Sequence, residues 1–197
     1  MAIEPPAGDA WYLRADDYWV PAEQAGEYPV RQGDLFKGVD LGDGKWYGHL
    51  LIHPTCELSK RSVERVQVAR VHPLSALSDS KQAAAVTAGF EEKNLQVRPA
   101  FAHTFFLAPV PDATIEAFRK PMFVDLRAVA LHDRTAYSSP ERIGALTHDA
   151  RVSLIRRELY FRYRLSLPFE EVRRLEAGRI GNDPTFAGPR PEWAEGG

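Results

Sequence analysis

The chain of 197 residues has a single cysteine, Cys56. An internal disulfide needs two, and a Cys-rich zinc site needs several, so both are excluded. Long apolar runs are also missing. No stretch approaches the roughly 20 apolar residues that span a bilayer, and residues 1–17 lack the basic and apolar regions of a signal peptide. Charge of one sign is missing too: 25 Lys+Arg against 27 Asp+Glu leave a net charge of −2, so no global field drives the chain onto nucleic acid or lipid. There is no phosphate loop, no Rossmann glycine fingerprint and no Gly-x-Ser-x-Gly elbow, which disfavours nucleotide-dependent chemistry and the usual serine hydrolases. The expectation is a protein of the reducing cytoplasm, with no membrane association and no cofactor.

What is present suits a folded chain of about one domain. The 44% hydrophobic and 11% aromatic content suffices for a sizeable core. Charge is unevenly spread. Residues 1–27 carry Glu4, Asp9, Asp16, Asp17, Glu23 and Glu27 against Arg14, whereas residues 151–180 carry eight arginines against four glutamates. Two readings fit: an acidic arm lying on a basic helical face, or a basic face that takes phosphate or a partner. The arm also holds Trp11, Tyr12, Tyr18 and Trp19. Aromatics at that density predict that residues 10–20 dock onto the body or onto a partner.

From Val30 onward the pattern turns to strands. Residues 34–39 and 46–53 flank Gly42-Asp43-Gly44, whose glycines supply the positive φ of a tight hairpin. Residues 65–72 read as a half-buried strand with a possible bulge, stopped by Pro73. Residues 78–89 predict a surface helix capped by Ser78 or Asp79 and closed by Gly89. Residues 104–107 and 122–131 are strands again, the second nearly continuous in apolar residues apart from Asp125 and Arg127. Ser139-Pro140 signals a helix start, with a restart at Thr147. Val152, Ile155, Leu159 and Tyr163 then form one stripe, while Leu154, Phe161 and Leu165 lie on a second face, so this helix is expected to be covered from two sides. A further short helix is expected over 168–177. The organisation is an acidic aromatic arm (1–27), a β body (28–137), C-terminal helices packed on it (138–181) and a Pro/Gly-rich tail (182–197).

The Arg31-Gln32-Gly33-Asp34-Leu35-Phe36 opening, followed by Gly48-His49-Leu50-Leu51-Ile52-His53, resembles the start of the PemK/MazF toxin barrel over roughly residues 30–72. The chain also resembles uncharacterised bacterial and phage-associated proteins. These share a Gln-Gly-Asp opening strand, a strand ending in Thr-Cys-Asp/Glu (here Thr55-Cys56-Glu57), a late strand like 123–127 and a final Arg-rich helix. The resemblance implies an α+β fold, a small SH3-like or PemK-like β-barrel with a C-terminal helical segment. The toxins carry an arginine just ahead of the second apolar strand and a Ser or Thr after it. Here Gly48 and His49 stand in the arginine's place, and only Thr55 offers the hydroxyl. The cation that stabilises a phosphorane is therefore missing from its usual position.

His53-Pro54-Thr55-Cys56-Glu57 is the densest cluster of reactive residue types. Cys56 could act as a nucleophile activated by His53 or by a remote histidine such as His103, with Glu57 orienting the base. The competing reading makes Cys56 a small buried apolar side chain and leaves Thr55 and Glu57 to the turn. A metal could be assembled only from His53, Cys56 and a third residue among the other histidines. With no second paired motif, no metal site is expected. Asp125 and Arg127 share a strand face and would bind an anion or form an ion pair. Asp34 is expected to take backbone hydrogen bonds where its strand begins. Arg156, Arg157, Arg162 and Arg164, with Tyr160 and Tyr163, offer cations and stacking rings to nucleic acid.

Three functions remain open. The first is a non-catalytic module of a bacterial or phage conflict or regulatory system. It would bind a protein partner through Trp11, Tyr12, Trp19, Asp125, Arg127, Arg156 and Arg157. The second is an atypical endoribonuclease or cysteine-dependent hydrolase centred on His53, Thr55 and Cys56. The third is nucleic-acid binding by the Arg-rich helix.

Overall fold

The computed structural model describes residues 18–38, 48–87, 102–138 and 141–164 together with 171, 172 and 174, apart from positions 21, 27, 59, 61 and 112. Six antiparallel strands form one curled sheet, a half-barrel: β1 (Asp34–Lys37), β2 (Gly48–Leu51), β3 (Arg65–Pro73), β4 (Thr104–Leu107), β5 (Met122–Asp133) and β6 (Arg142–Ala145), in the order β4-β5-β3-β2-β1-β6. One-turn helices α1 (Ala22–Ala25) and α2 (Thr55–Leu58), the helix α3 (Ser80–Thr87) and a long C-terminal helix α4 (His148–Tyr163) complete it. The α+β class and the barrel-like sheet thus agree with the sequence reading. The Gly42-Asp43-Gly44 turn, Gly89 and most of the helix expected over 168–177 lie outside the described residues.

The apolar alternation settles which face each strand buries. Leu35, Leu50, Ala69, Val71, Val124 and Leu126 enter the main core with Leu107, Phe118, Leu146, Ala150 and Leu154. Phe36, Leu51, Val66 and Val68 point the other way and form a second cluster with Leu58 and Tyr137. Gly48 is required at the main core. A Cβ there would stand 2.7 Å from Phe118 Cε1, so the ring packs directly on the strand backbone.

Two irregularities curl the sheet. Between β1 and β6 the register passes from Leu35↔Gly144 to Phe36↔Arg142, leaving Ile143 over. Between β3 and β5 it passes from Ala69↔Val129 to Arg70↔Asp125, so residues 126–128 of β5 bulge out. Bulges of this kind bend a strand and increase its twist.

β6 corrects the sequence reading, which places residues 138–181 in a helical segment. Residues 142–145 belong to the sheet, and α4 starts at Thr147, whose hydroxyl accepts from Ala150 N–H at 3.4 Å. The Ser-Pro signal is local, whereas pairing with β1 satisfies the backbone of four residues at once. The expectation for α4 itself is met on two sides. Ala150 and Leu154 face the main core, while Val152, Ile155 and Leu159 pack with Val172. Tyr163 departs from that stripe and is exposed.

The chain before β1 also belongs to the body. Trp19 bridges Leu146, Val20 N–H donates to Ala145 O at 2.8 Å, and Thr147 N–H donates to Tyr18 O at 3.1 Å. From that position beside β6, the Tyr18 hydroxyl donates to Phe106 O and Trp19 Nε1 donates to Ala108 O at 3.1 Å. Residues 18–20 thereby tie the last strand of the sheet to the first, across the open side of the half-barrel. The sequence leaves Trp19 to dock onto the body or onto a partner, and the structure takes the first course. Its indole is 4% exposed, and the core takes it because it fills the seam against Gly144.

Candidate functional site

The loop after β2 holds the three candidate catalytic residues. It is built around the Gln32-Gly33-Asp34 turn, in which Gly33 adopts φ +89°, a conformation that side chains with a Cβ avoid. Gly33 N–H donates to Leu51 O at 2.7 Å. Gln32 is the hub. Its N–H donates to the Thr55 hydroxyl at 3.1 Å, and its Nε2 donates to Ile52 O at 3.1 Å and to Glu158 Oε2 at 3.2 Å. Glu158 also pairs with Arg162 at 2.9 Å. Burial pushes its carboxyl above the ordinary range, with Arg162 pulling it back. One residue thus fastens three elements: its backbone N–H holds α2, and its side chain joins the end of β2 to α4.

Thr55 therefore spends its hydroxyl as an acceptor for the backbone. His53 accepts Gln67 N–H at Nδ1, 3.4 Å away, which puts the proton of the neutral ring on Nε2. Burial lowers the pKa of His53, opposed by Glu57 and assisted by Arg134. Cys56 is exposed on α2. The alternative of a buried apolar thiol is corrected accordingly: α2 is a single turn that buries Leu58 and leaves Cys56 on its outer side. Glu57 pairs with Lys60 at 2.7 Å on the surface.

The other candidates separate. Asp125 and Arg127 do pair, through Nε at 3.0 Å and Nη2 at 2.9 Å, and Arg127 N–H also donates to Asp125 Oδ1 at 2.9 Å. The geometry comes from the β5 bulge rather than from a regular strand face. Although burial opposes it, the bonds from Arg127 hold the Asp125 carboxyl below its ordinary range. Arg156 and Arg157 are buried, contrary to the solvent-facing basic surface that a partner or phosphate would need. The physical reason is that α4 is enclosed on two sides, so its flanking positions are enclosed with it. Trp11 and Tyr12 lie outside the described residues.

Sequence reasoning did not assemble a further cluster on the second face. His49, fully buried on β2, has Nδ1 2.9 Å from the Tyr137 hydroxyl, and its ring centroid lies 4.8 Å from that of His132. Burial, His132 and Arg70 together push the pKa of His49 down to about 4. His132 is lowered by burial and Arg65, and burial raises the Tyr137 phenol. A histidine inside the apolar run Gly48–Leu51 was the available signal. Tyr137 carries none, because it reaches the cluster from a loop 88 residues away. A pair of neutral imidazoles and a phenol can relay a proton, but buried in this way they hold the sheet face together.

Among the described residues no three His, Cys, Asp or Glu side chains gather as metal ligands, and no helix is long and apolar enough to cross a membrane. No family model matches the chain, and no curated protein matches it.

Proposed function

We propose that the chain is a non-catalytic interaction module, an SH3-like or PemK-like barrel that binds a protein partner in a bacterial or phage conflict or regulatory system. The observation that carries this reading is the use made of the candidate catalytic set. Thr55 Oγ1 and His53 Nδ1 both accept backbone N–H groups, from Gln32 and Gln67 respectively. Catalysis needs a nucleophile and a base aimed at a common point, and here two of the three candidate side chains, Thr55 and His53, support the fold, while Cys56 stands on the outer side of α2. The acidic aromatic residues 1–17 are the partner-facing segment in this reading.

The test has two parts. Labelled single-stranded RNA and double-stranded DNA incubated with the purified chain should stay intact. Cleavage that disappears in His53→Ala and Cys56→Ala, with melting temperature unchanged, would replace the module by the enzyme. Removing residues 1–17 should leave the fold intact and abolish association with the partner.

A second reading, nucleic-acid binding, is favoured by one feature. Tyr163 is 70% exposed at the end of α4 between Arg162 and Arg164, an available stacking ring flanked by guanidinium groups. Arg164 adopts φ 56° there, and its guanidinium lies over Tyr160 at 5.7 Å. Binding of single-stranded RNA that weakens steeply with salt and is lost in Tyr163→Ala would support it.

A further inference from the structure

β5 is twelve residues long and β4 only four. β4 pairs with Met122 through Asp125, and Leu126 N–H donates to His103 O at 2.8 Å. Beyond that point β5 continues through Asp133 with β3 on one side, and among the described residues no strand pairs with its other side. The direction of the main-chain groups follows from the ladder. Arg134 N–H donates to Glu64 O at 2.8 Å, and Gln67, opposite Leu131, spends its carbonyl on Ile52 N–H. Alternation then turns the N–H and C=O of Val129 and Leu131 away from β3. Leu131 is 50% exposed, one of two large hydrophobics so exposed among the described residues.

We propose that this edge, residues 127–133, pairs antiparallel with the same edge of a second copy of the chain, centred on Ala130. The proposal is independent of the partner-binding reading above. A two-fold pairing joins identical patches, so the patch must complement itself. Centred on Ala130, Val129 of one copy meets Leu131 of the other, both with outward backbone groups, and the bulged Arg127, whose N–H is spent on Asp125, brings its guanidinium alone toward Asp133. Centring on Val129 or Leu131 is also compatible with the backbone, but it does not bring those charges together.

Arg127 uses Nε and Nη2 on Asp125, leaving Nη1 for a second carboxylate. Asp133 uses Oδ1 on Thr135 N–H and its hydroxyl, leaving Oδ2. Leu131 O already accepts from Arg65 Nη2 at 2.8 Å. A carbonyl has two lone pairs, so this exposed side chain shares the acceptor or is displaced on pairing.

The full chain carries the test. Sedimentation velocity should show a concentration-dependent dimer, with dissociation in the micromolar range expected for so short a strand contact. Asp133→Lys and Arg127→Glu should each weaken self-association by about tenfold or more. Each variant alone sets like charges across the pair, whereas an equimolar mixture restores opposite charges in the mixed dimer. Recovery of dimer in that mixture is the expected result. Hydrogen exchange at the Val129 and Leu131 amides should slow with rising concentration. The proposal is overturned by a chain that stays monomeric at about 0.5 mM, or by a mixture that does not recover. Exchange at those two amides that is slow at every concentration would also overturn it, since the chain's own residues would then cover the edge.

Discussion

Arg142 on β6 and His49 on β2 stand on either side of Phe36, in one row across the second face of the sheet. Each takes a polar side chain out of water, by different means. Arg142 stays charged. Its Nη1 donates to Asp34 Oδ2 at 2.7 Å, and it also donates to the carbonyls of Pro29, Tyr28 and Ala25. Asp34 further accepts Arg31 N–H at 3.0 Å, so the backbone role expected for it is present and a buried ion pair is added. His49 instead stays neutral, because burial and the neighbouring His132 and Arg70 oppose its proton. The contrast shows how a sheet face with little apolar cover is closed. Where loop carbonyls converge, a full charge can be held. Where only rings and a phenol converge, the charge must be kept out.

The largest break in that comparison should come from Arg142→Met. It leaves the buried Asp34 with only the more distant Arg31 guanidinium, at 4.0 Å, and frees three carbonyls of the segment before β1. Removing one member of a buried pair costs about 3–5 kcal/mol, read as a lower urea midpoint at unchanged slope. The same segment makes the arm divisible. Deleting residues 1–27 removes Tyr18, Trp19 and the Ala25 carbonyl and should unfold the chain at ambient temperature. Trp19→Ala alone should cost about 3–5 kcal/mol by opening the seam. If the 1–27 deletion melts like the full chain, the seam has no structural weight.

The neutral cluster should respond to acid. His49 has its pKa lowered from 6.5 to about 4, so the folded state gives up its proton more readily than the unfolded chain. That stabilisation is complete above pH 6.5 and is lost progressively as pH falls through about 4, at a slope of at most about 1.4 kcal/mol per pH unit. His49→Gln keeps a neutral acceptor for Tyr137 and removes the titration, so its stability should decline less between pH 6.5 and 4. Equal slopes in thermal melts of the two proteins would refute the assignment. Tyr137→Phe, which deletes a single hydroxyl bonded to His49, should cost about 1–2 kcal/mol at neutral pH.

The sequence was legible wherever the determining interaction was local. Strands β1 to β5 follow from short apolar or alternating runs bounded by turn signals, and residues 104–107 match β4 to the residue. The cap of α3 was legible too, since Asp79 Oδ1 accepts Lys81 N–H two residues on at 2.8 Å. β6 was missed because its four residues contain a bulge at Ile143 that breaks the alternation. The candidate site was legible only as residue types. The bond that occupies Thr55 comes from Gln32, 23 residues away, and the one that ties Gln32 to Glu158 spans 126. Arg156 and Arg157 read as a basic face open to the acidic arm, a phosphate or a partner, because charge suggests a surface position. Their burial depends on what encloses α4, which no local pattern states.

The smallest expected effects discriminate between the two uses of the β2 loop. Cys56 is exposed on one turn of helix, and serine there removes only a thiol. Cys56→Ser should shift stability by less than about 0.5 kcal/mol, the usual range for a surface substitution. Thr55→Ala deletes the acceptor for Gln32 N–H and should cost about 1 kcal/mol, even though Thr55 and Cys56 are adjacent in sequence. A nucleophile and its neighbouring hydroxyl in an enzyme would show the reverse signature, with stability nearly unchanged in both variants and turnover lost in both. Measuring melting temperature and RNA cleavage on the same two preparations therefore separates a loop built for support from one built for chemistry. A Thr55→Ala protein as stable as the parent would withdraw the structural role assigned to that hydroxyl.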